Sequence, residues 1–204
     1  MFTPNPYGMF SMPTLETKRL ILRRIAMRDA KDIFAYSRDA EVARHVLWSA
    51  QKDVSEARDY CRFMMKRYRN DLPSSWGIEE KSTGRLVGTI GYMDYNEDNA
   101  TVEVGYSLAH WLWNGGYMTE ALSRVIAYTF EAMDVNRIEA QHELDNPASG
   151  RVMEKCGMRR EGILRGRLYN KGRYVDVCLY AMLEEDWRKK HPGRPYDPYP
   201  PLRH

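Results

Sequence analysis

The sequence predicts an α/β (α+β) fold built as one domain, and three observations carry that expectation. At 204 residues and 43% hydrophobic content, the chain is long enough to bury one sizeable core. Its first half is strand-rich, with period-two segments separated by polar turn clusters. Its second half runs strand, helix, strand, helix and then two strands, a mixture that packs as helices against a sheet.

Residues 1–13, with three prolines, form an irregular arm. Arg19 to Ile25 alternates Leu20, Leu22 and Arg24 against Ile21 and Arg23, a first strand. Asp29 is an N-cap candidate for a helix carrying Ile33, Phe34 and Ser37. Ser55 opens another helix, with Ala57, Tyr60, Cys61, Met64, Met65 and Tyr68 at three-to-four spacing, and Leu72-Pro73 closes it. Ser75 to Glu80 is a second strand, and Lys81 to Gly84 turns the chain into a third, Arg85 to Tyr95. The cluster Asn96-Glu97-Asp98-Asn99 leads into a fourth, Ala100 to Leu108. Gly88 and Gly91 mark candidate bulges.

Met118, Ala121, Leu122, Val125, Ile126, Thr129, Phe130 and Met133 then form an apolar stripe at helical period. Asn136 to Glu143 is a strand. Asn146-Pro147 begins a short helix, with Pro at its first position, that ends at Cys156-Gly157. Met158 to Leu168 and Arg173 to Leu183 are two further strands joined by Tyr169 to Gly172. The domain therefore spans residues 14–187, with a Pro-rich, basic tail over 188–204 that builds no core of its own.

Bulk properties exclude several function classes. The net charge of +3 is mild, and the basic and acidic residues are interspersed, so no strong nucleic-acid signal emerges. The basic tail keeps an RNA- or ribosome-binding module as a rival reading. Cys61, Cys156 and Cys178 lie far apart, with no Cys-x-x-Cys and no paired His at metal-ligand spacing, which suits a reducing compartment and names no metal ligand. The first residues lack the basic and apolar regions of a signal peptide, and no apolar run approaches the roughly 20 residues that span a bilayer. A cytoplasmic protein with no membrane partner, monomeric or homodimeric, is the expectation.

The most informative stretch is Trp111 to Leu122, with Asn114-Gly115-Gly116-Tyr117 at its centre. Asn-Gly is the strongest short hairpin signal, but Gly116 leads into a long helical pattern and not a returning strand. Adjacent glycines between a strand and a helix leave backbone N–H groups bare. The helix N-terminus adds about half a unit of positive charge, so the bend is built for an anion such as a pyrophosphate. A P-loop needs Lys and then Ser or Thr, and a dinucleotide fingerprint needs three spaced glycines. Neither is present.

Four blocks in order resemble the GNAT superfamily of acyl-CoA-dependent N-acyltransferases, in particular its Rim-type branch of ribosomal-protein N-terminal acetyltransferases. They are Glu16 to Arg23, Val102 to Leu108, Trp113 to Ala121 and Asn146 to Met158. The resemblance covers roughly residues 14 to 187. One departure stands out: the family's usual glycine is Asn114 here, a residue that tolerates left-handed backbone. The resemblance implies a mixed, mostly antiparallel sheet of six to seven strands, flanked by helices and splayed between its fourth and fifth strands, with acetyl-CoA in the gap. The pantetheine arm would pair with the backbone of Gly105, Tyr106, Ser107 and Leu108. The pyrophosphate would rest on the amides of Asn114, Gly115, Gly116, Tyr117, Met118 and Thr119. Asn146 would bond the pantetheine and Ser149 would lie near the thiol. Read locally, Asn146 is better explained as an ordinary N-cap, a reading that only the resemblance reverses, and Ser149 is equally a helix-surface residue.

Elementary amine chemistry bears on the site as well. An amine attacks a thioester only when neutral, and an amine of pKa about 8 to 10 is mostly protonated at pH 7. The leaving thiolate, of pKa about 8.5, departs with little help, so the base matters more than the acid. Glu103 shares one strand face with Thr101, Gly105 and Ser107, a small and open surface suited to a cleft, and a Glu there serves as base in related acetyltransferases. The Val104 or Gly105 N–H would polarise the thioester carbonyl. Cys156 ends a helix, where the dipole disfavours thiolate, so it is read as core and not as an acyl carrier. Tyr169, Tyr174 and Tyr180 are candidate proton donors. Trp111 and Trp113 are read as packing residues. The acceptor is a primary amine: a protein N-terminus, or a small molecule such as a polyamine, amino acid or aminoglycoside. A non-catalytic acyl-CoA-binding protein is the rival outside enzymes.

Overall fold

The structure, a computed structural model, describes residues 8–193. One eight-stranded sheet organises it, in the order β1-β2-β3-β4-β5-β6-β8-β7. The strands are β1 (Leu15–Glu16), β2 (Leu20–Arg24), β3 (Ser75–Glu80), β4 (Arg85–Asn96), β5 (Thr101–Leu108), β6 (Arg137–Glu143), β7 (Arg159–Asn170) and β8 (Arg173–Leu183). Seven of these match the strands read from the sequence. The eighth, β1, is only two residues long, too short for any periodicity to show. The helices are α1 (Ala30–Ser37), α2 (Ala40–Ala43), α3 (Val54–Arg69), α4 (Tyr117–Ala132), α5 (Pro147–Lys155) and α6 (Glu184–Lys190). Every pairing is antiparallel except β5 with β6.

Side-chain contacts assign the two faces of the sheet. Tyr92 on β4 shares a hydrogen bond with Thr129 on α4, and Tyr106 on β5 shares one with Ser149 on α5. Ile90 and Tyr92 lie opposite Tyr106 and Val104, so this face carries α4 and α5. On the other face Thr89 bonds Ser107, and the buried hydroxyls of Tyr36 and Tyr60 from α1 and α3 meet them. All eight residues of the predicted α4 stripe are buried, with Ala121, Leu122 and Val125 fully so. Their spacing is what the sheet face requires.

Several local expectations need correction. Asp29 makes no side-chain cap for α1. Its buried carboxylate takes both Nη groups of Arg23 at 2.9 Å and the Ala26 N–H at 2.8 Å, because a charge below the surface needs a charged partner more than a helix end needs a cap. The cap of α3 is Asp53, which accepts from Ser55 N–H at 2.7 Å, two residues before the serine read as the opening. The β7–β8 turn narrows to Lys171-Gly172, both at positive φ (48° and 85°), the backbone of a two-residue primed hairpin. Residues 188–190, read as tail, continue α6, and the rest of the tail from 194 on lies outside the described residues, as do residues 1–7 of the arm. The described part of the arm is irregular yet anchored: Phe10 and Met12 are buried, and Trp76 donates to the Pro13 carbonyl at 2.7 Å. No helix among the described residues is long and apolar enough to cross a membrane.

Gly88 and Gly91 are not the bulged residues. The ladders skip at Val87 and Met93, while both glycines keep strand partners. Glycine is needed at 91 because a Cβ there would lie 2.2 Å from the Ser74 carbonyl oxygen and 2.3 Å from Ser75 Cα, both backbone atoms. Gly91→Ala is therefore expected to lower unfolding stability by about 1–3 kcal/mol or more, through forced strand separation. An unchanged urea midpoint at equal slope would contradict the close approach.

Candidate functional site

The parallel pair β5–β6 is in register only over Thr101–Arg137, Val102–Ile138 and Glu103–Glu139. Beyond Glu103 the strands part. β5 continues to Leu108 and β6 to Glu143, each without the other. These are the fourth and fifth of the strands read from the sequence, so the expected splay is present. A parted parallel pair leaves the inward main-chain groups of Val104 to Leu108 without strand partners on that side, an edge that an extended ligand can occupy.

At the far end of β5 the chain passes through Ala109–Trp113 into the bend read as an anion loop. Asn114 has φ 61° and Gly116 φ 74°. Glycine takes the left-handed region freely and asparagine tolerates it, which is why the departure to Asn114 leaves the bend intact. Among the described residues, the N–H groups of Gly116, Tyr117, Met118 and Thr119 have no partner. Glu120 is the first residue of the turn to find one, on the Gly116 carbonyl at 3.1 Å. Residues 114–116 are exposed, Tyr117 and Thr119 half-buried, and Met118 buried beneath the helix start. The bend is braced from below. Arg19 donates from Nε to Glu120 Oε2 at 2.7 Å and from Nη1 to the Gly115 carbonyl at 2.9 Å, and its guanidinium stacks 3.9 Å over the Tyr117 ring. Burial pushes the Glu120 carboxyl up, but hydrogen bonds from Thr17 and Arg19 outweigh it and hold the group below the usual carboxylate range. This brace explains why Thr17 and Arg19 sit in the first resembling block.

Where the strands part lies a cavity of about 360 Å³ whose wall includes Glu103, Gly105, Tyr106, Ser107, Asn146 and Ser149. The fold thus gathers residues that the sequence spreads over nearly fifty positions. Leu108, by contrast, is buried next to the cavity and not in its wall. Glu103 projects toward the α1–α3 face, as its alternation with Ser107 requires. Gln141 on β6 donates to its Oε1 at 2.9 Å. Burial raises the Glu103 carboxyl above its ordinary range, the Gln141 hydrogen bond offsets part of this, and the neighbouring Glu139 and Asp94 charges reinforce it. Gln141→Leu is expected to move the Glu103 titration further upward, as carboxyl NMR on the variant would report. A downward move would show that Gln141 does not hold the charged form.

On the α5 face, Asn146 occupies the cap position of α5 without any side-chain capping bond, so the N-cap reading is corrected: its amide faces the cavity unpartnered among the described residues. The Ser149 hydroxyl lies 3.0 Å from the Tyr106 hydroxyl, which also donates to the Ser149 carbonyl at 3.1 Å. Of the tyrosines read as proton donors, Tyr169 and Tyr174 pack on each other at the hairpin tip, 60% and 74% exposed. Tyr180 donates to Glu154 at 2.9 Å in a separate hollow beside α5. None of the three lines the main cavity; Tyr106 does, although strand alternation alone places it with the core. Trp111 is 58% exposed and does not pack as expected, whereas the Trp113 ring packs against His110 with centroids 4.4 Å apart. Trp113 also pins the loop by donating to the Leu108 carbonyl at 2.9 Å. Cys156 is half-buried between α4 and α5, and burial raises its thiol, in keeping with a structural role.

The opposite wall is made by Trp48, Phe63, Arg67 and Met93; the first three lie in the 29–70 segment, which carries no decisive motif in the sequence. The Met93 bulge lays its side chain over Gly105, where a Cβ would come within 2.7 Å of Met93 Cγ. The β7–β8 tip closes this side: Lys171 Nζ donates to the carbonyls of Ala43 and Val46 at 2.8 and 2.5 Å. Beside it His45, Glu143 and Asp145 converge, Glu143 only 4% exposed. Arg173, 4.0 and 3.7 Å from the two carboxylates, and Asn170, 2.5 Å from Glu143, complete that network. No short-range pattern links residues 43–48 to 170–173, so only the fold reveals it.

A family model described as Acetyltransferase (GNAT) domain matches residues 19–159. The uncharacterized N-acetyltransferase YoaA of Bacillus subtilis (strain 168) is 34% identical over 172 residues, covering 84% of this chain and 97% of that protein. The [ribosomal protein uS5]-alanine N-acetyltransferase of Escherichia coli (strain K12) is 25% identical over 189 residues, covering 88% and 94%. The crystal structure of a GNAT-family acetyltransferase from Bacillus anthracis superposes with a TM-score of 0.75 at 27% identity, over 84% of this chain and 99% of the other.

Proposed function

Because the chain belongs to the acetyltransferase (GNAT) domain family, we propose that it moves an acetyl group from acetyl-CoA to a primary amine by direct attack in a ternary complex, with Glu103 as base. The observation that carries this reading is the parting of β5 and β6 immediately beyond Glu103, with a half-buried, raised carboxyl where they part and β5 leading on to the bare amides at the start of α4. The residues present fit acetyl-CoA. The amides of Gly116 to Thr119 suit a diphosphate, the unpaired β5 edge from Gly105 to Leu108 suits an amide-bearing arm, and the unpartnered Asn146 amide offers that arm a further bond. Acetyl-CoA supplies the activated thioester.

The chain's own residues do the rest. Glu103 accepts the proton of the incoming ammonium, directly or through one water, and its raised affinity for that proton brings it closer to the amine it must deprotonate. The main-chain N–H of Val104 or of Gly105, whichever faces the gap, would polarise the acyl carbonyl. The Ser149–Tyr106 hydroxyl pair would face the leaving thiolate and could return a proton to it, so Tyr106 replaces the three hairpin tyrosines as candidate donor. The acting unit of this reading is residues 14–187. The E. coli relative supports a protein N-terminal amine as acceptor, and the enclosed wall of the cavity supports a small amine.

Thiol release from acetyl-CoA across an amine panel, with coenzyme affinity by calorimetry, tests this. Sequential kinetics with one primary amine are expected. Binding without turnover would leave a coenzyme-binding protein, and ping-pong kinetics would remove direct transfer.

A further inference from the structure

Arg67, on the last turn of α3, lines the cavity opposite Glu103. It donates from Nε to the Pro73 carbonyl at 2.5 Å and its guanidinium carbon lies 5.4 Å from the Phe63 ring. Among the described residues no carboxylate stands within ion-pair distance of it. A guanidinium has five N–H donors in a rigid fork and is always charged, so the carbonyl fixes its plane and leaves the forked edge available. Around it the wall is apolar: Leu47 and Phe63 are exposed, Met93 is half exposed, and Trp48 is half-buried. Among the described residues, Glu103 is the one carboxylate in that wall.

Resting on the acetyl-transfer reading, we infer that the acceptor is a free amino carboxylate with an apolar or aromatic body. Its ammonium goes to Glu103, its carboxylate to the Arg67 fork, and its body to Trp48, Phe63, Leu47 and Met93. The alternatives fit this wall less well. A polyamine or aminoglycoside carries several ammonium groups and needs several carboxylates, whereas this wall offers one and adds a cation. A protein N-terminus presents neutral amides where the guanidinium stands unpaired. The half-buried guanidinium has no counter-charge in the cavity, and a planar carboxylate is the group its forked geometry matches.

The test uses acetyl-CoA with matched acceptors: phenylalanine against phenethylamine, tryptophan against tryptamine, together with spermidine and a short peptide with a free N-terminus. In the native protein, kcat/KM for the amino acid is expected to exceed that for its decarboxylated partner by about 10–100-fold, the worth of a charge-assisted hydrogen-bond pair. Arg67→Gln should bring this ratio toward one through the KM of the amino acid, and Arg67→Lys should recover part of it. A ratio near one in the native protein, a preference for spermidine or the peptide, or an Arg67→Gln loss that leaves the ratio intact would each overturn the inference while leaving acetyl transfer standing. Failure to acetylate any amine, with coenzyme affinity retained, would instead remove the acetyl-transfer reading and this inference with it.

Discussion

Glu103→Gln is expected to lower kcat by about 10²–10⁴-fold at pH 7, the usual worth of a positioned base, with a much smaller loss at pH 9. The difference between the two pH values comes from the amine. At pH 7 an amine of pKa about 8 or above is mostly protonated and needs the base; at pH 9 far more of it is neutral without help. Coenzyme affinity should persist, since glutamine keeps the shape and the contact with Gln141. Stability offers a second readout. Burial raises the carboxyl, so the folded state binds its proton more tightly than the unfolded chain does, and folding stability falls as pH rises through that window. Glutamine carries no charge to bury, so the variant's thermal midpoint at pH 7 should be no lower than the native one. Equal loss of kcat at both pH values would show that Glu103 positions substrate and does not take the proton.

Gly116→Val is expected to weaken CoA binding by about 2–3 kcal/mol, or roughly 10²-fold in Kd. Gly116 sits at φ 74°, a conformation that a β-branched residue adopts only under strain. A Cβ there meets nothing closer than Arg19 Nη2 at 3.6 Å, so packing permits the side chain and the backbone does not. The bend must relax, and the amides of Gly116 to Thr119 turn away from a common point. Calorimetry with CoA and with a diphosphate-free pantetheine fragment separates the causes. Loss confined to CoA fits an anion bend, whereas equal loss of both would place the defect in the cleft.

The two substitutions probe the parts of this protein that differ most in how far the sequence reveals them. The bend was legible because its signal is local: Asn114, Gly115 and Gly116 between a strand pattern and the Met118–Met133 stripe leave a strand-to-helix turn with free amides as the consistent reading. Seven strands and the α4 face were legible for the same reason, since period two and period 3.6 are written within a dozen residues. Asn146 and Glu103 were legible as candidates through the resemblance, while their local alternatives were resolved by geometry. The capping bond that would have explained Asn146 is absent, and Glu103 lies at the point where two strands part.

What the sequence by itself determined is therefore the set of elements, the anion bend and the family resemblance, all carried by neighbours along the chain. What only the tertiary structure decided is the set of contacts across the cavity: Arg67 unpaired opposite Glu103, Tyr106 against Ser149, Met93 laid over Gly105, and the Lys171 latch on the carbonyls of Ala43 and Val46. Each of these joins residues well separated along the chain, by as many as 128 positions for Lys171 and Ala43. Burial and charge pairing act through space, and a single sequence records no distance between segments that meet only after folding.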